Sequence, residues 1–187
     1  MTLTTKLKPL ILVPAALTAF TLAACSSDDD SSDALSCPKD VPAAGTKADW
    51  TLQGKTGSLA VVAPTDDAAP LITVKGPFTV DETTVKTLEE GDGGEVTEAM
   101  DVQVCYQGVN GRDGKTFDSA FEKGEPAKFN PMGVVPGFSK ALVGQKVGST
   151  VAVAMTPTDG YGPNGNDQAG IKGDDTLIFA LKIVDGY

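Results

Sequence analysis

The chain has 187 residues, with 25 acidic against 15 basic side chains, no histidine and a formal net charge of −10. An acidic balance of this size disfavours nucleic acid and anionic headgroups as partners. The lack of histidine excludes His-based triads, histidine general bases and histidine metal ligands.

The N-terminus carries Lys6 and Lys8 and no acid, and Pro9 to Ala24 is almost wholly apolar and ends in small residues. That is the layout of a secretory signal peptide, and the run is shorter than the roughly 20 residues a spanning helix needs. Leu22-Ala23-Ala24-Cys25 resembles a bacterial lipobox. The resemblance implies cleavage before Cys25, a diacylglycerol on its thiol and an acylated new N-terminus. The alternatives are an ordinary cleaved signal or a membrane-spanning anchor. Residues 1–24 are thus expected to be a lipoprotein signal peptide, and the protein to be extracytoplasmic, lipid-anchored to the bacterial cell membrane through Cys25. Cleavage removes Lys6 and Lys8 and no acid, so the mature chain is more negative still and its attachment rests on lipid rather than charge.

Ser26-Ser27-Asp28-Asp29-Asp30-Ser31-Ser32-Asp33 has no apolar side chain to bury and reads as a disordered, self-repelling spacer. As a calcium loop it lacks the glycine and the distal glutamate. Residues 25–48 are read as a lipid-anchored flexible linker. With Cys25 committed to lipid, Cys37 and Cys105 form an even pair in a compartment where disulfides persist. A Cys37–Cys105 bridge is expected; two separate thiols, one buried in a strand, are the alternative.

Residues 49–83 read as an N-terminal extension with short strands. Leu59–Val62 and Leu71–Val74 are strand-like and bounded by Pro64, Pro70 and Gly76. Val102–Tyr106 alternates, as do Val151–Met155 and Leu177–Val184, and Asn110-Gly111 and Asp113-Gly114 are turn signals. Proline at a first helical position places one short helix over Gly137–Leu142, stopped near Gly144. These elements give an α+β domain, an antiparallel sheet with one short helix. Gly114-Lys115-Thr116 looks like the end of a phosphate-binding loop, but the position five before Gly114 is Val109, where that loop needs glycine. The sequence also lacks a Gly-x-Ser-x-Gly elbow and a Cys-x-x-Cys pair.

Several segments acquire meaning in combination. Val104–Gly108, Gly114–Ser119, Val134–Phe138, Val147-Gly148, Tyr161-Gly162 and Thr176–Phe179, in this order, resemble the FKBP family of peptidyl-prolyl isomerases. Val85–Gly93 resembles the family's first strand and turn, so residues 84–187 are read as an FKBP-type isomerase domain. The implied fold is a twisted antiparallel sheet wrapped around one short helix, with a pocket between them. Residue by residue, Phe138 matches the pocket floor, where the family often has tryptophan. Tyr106, Phe117 and Phe179 match aromatic walls, and Asp118 the pocket carboxylate. Val134 and Val135 match the segment whose side chain and backbone N–H meet the ligand. Tyr161 matches a tyrosine whose hydroxyl reaches a ligand carbonyl, and Ile171 falls among the apolar residues of the overhanging loop. Phe129, Leu177 and Leu181 read as plain core.

The chain departs from the family at Ala127, where a flap aromatic is usual, and between Phe129 and Val134, which is about two residues short. Its loop Asn164–Gly170 is more polar than usual, and Lys172-Gly173 stands where an isoleucine-proline-proline run is common. The resemblance implies isomerisation of prolyl bonds in newly exported polypeptides by a monomer, without metal or cofactor. It also implies a rapamycin-type macrolide as a second ligand. A non-catalytic module that grips proline-bearing segments is the alternative.

Overall fold

The computed structural model describes residues 35–187; the expected signal peptide, Cys25 and the acidic run lie outside the described residues. Two antiparallel sheets make up the body. The first has three strands in sequential order: β1 (Trp50–Gln53), β2 (Thr56–Val62) and β3 (Leu71–Thr79). The second contains β4 (Thr84–Glu89), β5 (Val102–Asn110), β6 (Thr116–Ser119), β7 (Ala127–Phe129), β8 (Thr150–Met155) and β9 (Leu177–Gly186). Its order is β4-β8-β9-β5-β6, and β7 pairs with the start of β5. Among the described residues two α-helices interrupt it, α1 (Ala120–Lys123) and α2 (Pro136–Leu142).

Period-two alternation on β8 and β9 explains how the layers assemble. Val151, Val153 and Met155 with Leu177, Phe179 and Leu181 share a core with Phe138, Ala141 and Leu142 of α2. The intervening Ala152, Ala154, Ile178 and Ala180 pack with Leu59, Val61 and Phe78 of the three-stranded sheet. Both faces of the central strands are therefore covered, which is why β8 is buried at every position. Small alanines on one face of β8 let the three-stranded sheet approach, while branched and long side chains fill the helix side. Residues 49–83, read from sequence as an extension, thus supply the cover for the back of the main sheet.

α2 begins on Pro136 at its first turn, as its sequence predicts, and ends at Leu142. A Cβ on Gly137 would lie 2.7 Å from Met155 Cβ, so glycine at that position lets the helix lie close on β8. α1 is capped by Ser119 Oγ, which accepts from Glu122 N–H at 3.2 Å, and is closed by Gly124 at φ 85°. Four residues are too few to leave a periodic pattern, although the Ser-x-x-Glu spacing is a start signal.

The linker reading changes at Cys37. Cys37 and Cys105 are joined in a disulfide with Cα atoms 5.5 Å apart. The Cys37 N–H also donates to Gly124 O at 3.1 Å, and Asp40 O accepts from Ala69 N–H at 2.7 Å. Residues 37–40 are therefore fastened to the domain by covalent and backbone bonds, and a free spacer does not extend to residue 48.

Candidate active site

A cavity of about 520 Å³ opens between the main sheet, the start of α2 and the loop that follows β8. Five aromatic rings, those of Tyr106, Phe117, Phe129, Phe138 and Phe179, make its apolar interior. Phe138 is 3% exposed and lies edge-on to Phe179 at 5.0 Å, Phe129 at 5.2 Å and Tyr106 at 5.8 Å between centroids. Phe117 meets Phe179 edge-on at 5.4 Å. These contacts hold Phe138, Phe179, Phe129 and Tyr106 by two or three neighbouring rings each and Phe117 by one, which preorganises the walls. A Cβ on Gly108 would lie 2.6 Å from the Phe117 ring and 2.8 Å from that of Phe179, so only glycine lets both rings rest on β5.

Asp118 places one charge on the rim. Its Oδ2 accepts from the Tyr106 hydroxyl, and its Oδ1 lies 2.6 Å from Lys123 Nζ on α1. Burial by itself would raise the Asp118 carboxyl, but Lys123 and Tyr106 outweigh it and hold the group below its usual value. Burial first, and then the Asp118 carboxylate, push the Tyr106 hydroxyl well above the usual tyrosine range. Asp118 thus stays ionised and Tyr106 stays protonated across neutral pH.

Val134 and Val135 form the lip where the chain enters α2; the Val135 carbonyl accepts from Phe138 and Ser139 N–H. Tyr161 borders the opposite side and is 38% exposed. The structure therefore gathers Tyr106, Phe117, Asp118, Val134, Val135, Phe138, Tyr161 and Phe179 around one cavity. Ile171 is the exception. It is 2% exposed and sits in the core, and its N–H and C=O bond to Asn166. Its side chain anchors the overhanging loop from below, so the rim contact expected of it falls instead to Asn166, Gln168 and Ala169.

The similarity of residues to known proteins decides what such a pocket belongs to. The chain is 31% identical over 94 residues to a probable FK506-binding protein of Corynebacterium glutamicum, covering 50% of this chain and 78% of that one. The chain belongs to the FKBP-type peptidyl-prolyl cis-trans isomerase family. The sequence model of that FKBP family matches residues 93–184. FkpA, an FKBP-type isomerase of Escherichia coli, is 33% identical over 100 residues, covering 54% of this chain and 36% of its own length. The crystal structure of FkpA superposes with a TM-score of 0.52 at 32% identity, over 56% of this chain and 47% of that one. The chain thus spans about three quarters of one relative and about a third of the other.

Within the FKBP frame, three features were not readable from the pattern of motifs. Phe129 reads as plain core from sequence, yet one face of its ring lines the cavity, because β7 pairs with β5 at Val102 and swings the ring beside Tyr106 at 5.4 Å. Lys123 is five residues from Asp118, a spacing with no regular helical meaning, and meets it only because a strand turns into α1. Asn166 and Gln168 enter through a loop whose polar composition gives no periodic signal. Ala127, where the family often has an aromatic, is half-buried against the core and leaves the cavity without a flap ring on that side. Among the described residues, no group of three or more His, Cys, Asp or Glu is placed to hold a metal.

Proposed function

We propose that this protein catalyses cis–trans isomerisation of prolyl bonds in newly exported polypeptides, held at the outer face of the bacterial cell membrane by lipid on Cys25. The observation that carries the catalytic reading is the aromatic cavity closed by Phe138, Phe129, Phe179 and Tyr106, with the Asp118 carboxylate held by the Tyr106 hydroxyl.

Uncatalysed prolyl isomerisation takes tens to hundreds of seconds, because rotation breaks amide resonance. The twisted amide is less charge-separated than the planar one. An apolar cavity therefore favours it over the ground state, which is differential binding of the transition state. Phe138 forms the surface on which the proline ring packs. The Val135 N–H and the Tyr161 hydroxyl hold the flanking carbonyls in the twisted geometry. Lowering the barrier by about 5 kcal/mol would accelerate rotation several-thousand-fold. No nucleophile or proton transfer is required, which agrees with a chain that has no histidine. A bulky apolar residue before proline is favoured by Val134 and Ala169 at the rim. The domain acts as a monomer. A rapamycin-type macrolide would compete for the same cavity, with affinity reduced by Ala127 and by phenylalanine in place of tryptophan at position 138.

A protease-coupled assay on a tetrapeptide with leucine before proline tests this reading. Acceleration that a macrolide of this type suppresses is the expected result. Binding of the peptide with no acceleration would support the non-catalytic module instead.

A further inference from the structure

The loop over the cavity is held from behind by a buried charge. Asp175, just before β9, is 4% exposed. Its Oδ2 accepts from Asn110 Nδ2 at 2.6 Å and from Lys172 N–H at 2.8 Å, and its Oδ1 lies 3.3 Å from Arg112 Nε. The Arg112 Nε is buried without a well-aligned hydrogen bond, so its link to Asp175 is ionic. The other end of the guanidinium reaches the loop, where Nη2 donates to Gly170 O at 3.0 Å. Backbone bonds continue the connection to the three-stranded sheet. Gly111 N–H donates to Thr176 O and Phe78 N–H to Gly111 O, both at 2.8 Å, and Val80 N–H donates to Thr176 Oγ1 at 3.3 Å.

Burying a carboxylate costs more than burying apolar side chains of the same size unless it is paired and hydrogen-bonded. Here every partner of the Asp175 side chain belongs to the end of β5, to the turn after it or to the root of the loop. The front of that loop carries Asn166, Gln168 and Ala169 onto the cavity, while neither Arg112 nor Asp175 lines it.

We propose that Arg112 and Asp175 are positioning residues that set the affinity for substrate by fixing residues 166–170 over the pocket. The proposal rests on the isomerase reading above. Because the pair does not touch the rotating bond, its loss weakens binding and leaves the rotation step alone.

Arg112→Met keeps the aliphatic stem and removes both the ion pair and the Gly170 contact. For the same prolyl tetrapeptide, KM should rise about fivefold while kcat stays within about twofold. Arg112→Lys, which restores the charge without the fork, should recover part of the loss. Amide exchange at Ala169, Gly170 and Ile171, all hydrogen-bonded within the loop, should quicken in Arg112→Met. An equal fall in kcat, or an unchanged KM, would overturn the proposal. If the wild-type protein proves inactive, the isomerase reading fails, and exchange still judges the latch: unchanged protection of these amides in folded Arg112→Met rejects it. Should Arg112→Met not fold, Arg112→Lys decides the matter, with an intermediate rise in KM and in loop exchange as the supporting result.

Discussion

Each residue of the pocket makes a separable contribution. Tyr161→Phe removes one hydrogen bond and keeps the ring, so kcat/KM should fall about fivefold, the equivalent of roughly 1 kcal/mol. Phe138→Ala should do more, because it opens the floor that three other rings contact. It should also destabilise the fold by about 3–5 kcal/mol, which denaturant unfolding would show. Asp118→Asn should lie between the two in activity, since it releases Lys123 and weakens the bond from Tyr106. The pH dependence follows from the directions of the shifts. Asp118 has a depressed carboxyl in the folded state and Tyr106 a raised hydroxyl, so neither changes charge near neutrality. The rate should therefore be flat between about pH 6 and pH 9, as a mechanism without a general base requires. A depressed carboxyl contributes stability that is present above its unfolded value of 3.8 and disappears as pH falls through the lower folded value. Asp101, Asp159 and Glu90, all lowered, share that sign. Thermal unfolding should then be level from neutral pH down to about 5 and drop below about 4.

At the scale of elements, legibility in the sequence tracked local signal. β5, β8, β9 and α2 carry strong alternation or a proline start, and each appears where its pattern places it. β1, β6, β7 and α1 are only three or four residues long, so their existence depends on partners far away in sequence. The same reasoning explains the site. Aromatics inside ordered motifs could be placed on the pocket, whereas Phe129 depended on the β5–β7 register and Ile171 on which way the loop turned its anchor inward. The role of residues 49–83 lay in the alternation of β8, where alanine at 152 and 154 marks a face made for close packing by another layer. The disulfide belongs to this scale as well. It closes a loop of 68 residues and should contribute about 4 kcal/mol, by the chain-entropy estimate. Reduction should lower the denaturation midpoint accordingly, and mass mapping without reduction should recover one linked peptide containing Cys37 and Cys105.

For the whole molecule, the lipid proposed on Cys25 is tested separately from the pocket. Cys25→Ser should move the protein from the membrane fraction to the soluble one and abolish labelling by palmitate. A wild-type protein that is wholly soluble and unlabelled would rule out the proposed anchor and leave the pocket untouched. The central claim, that this pocket turns prolyl bonds over, is tested most directly without a protease or a folding client. NMR exchange spectroscopy on a leucyl-prolyl tetrapeptide, with the protein far below the peptide concentration, reads interconversion of the cis and trans forms at equilibrium. Cross-peaks between the two isomers should appear with wild-type protein and fade in a folded Phe138→Ala variant. Peptide signals that broaden on binding while cis and trans remain unexchanged, or exchange that is unaltered by Phe138→Ala, would contradict it.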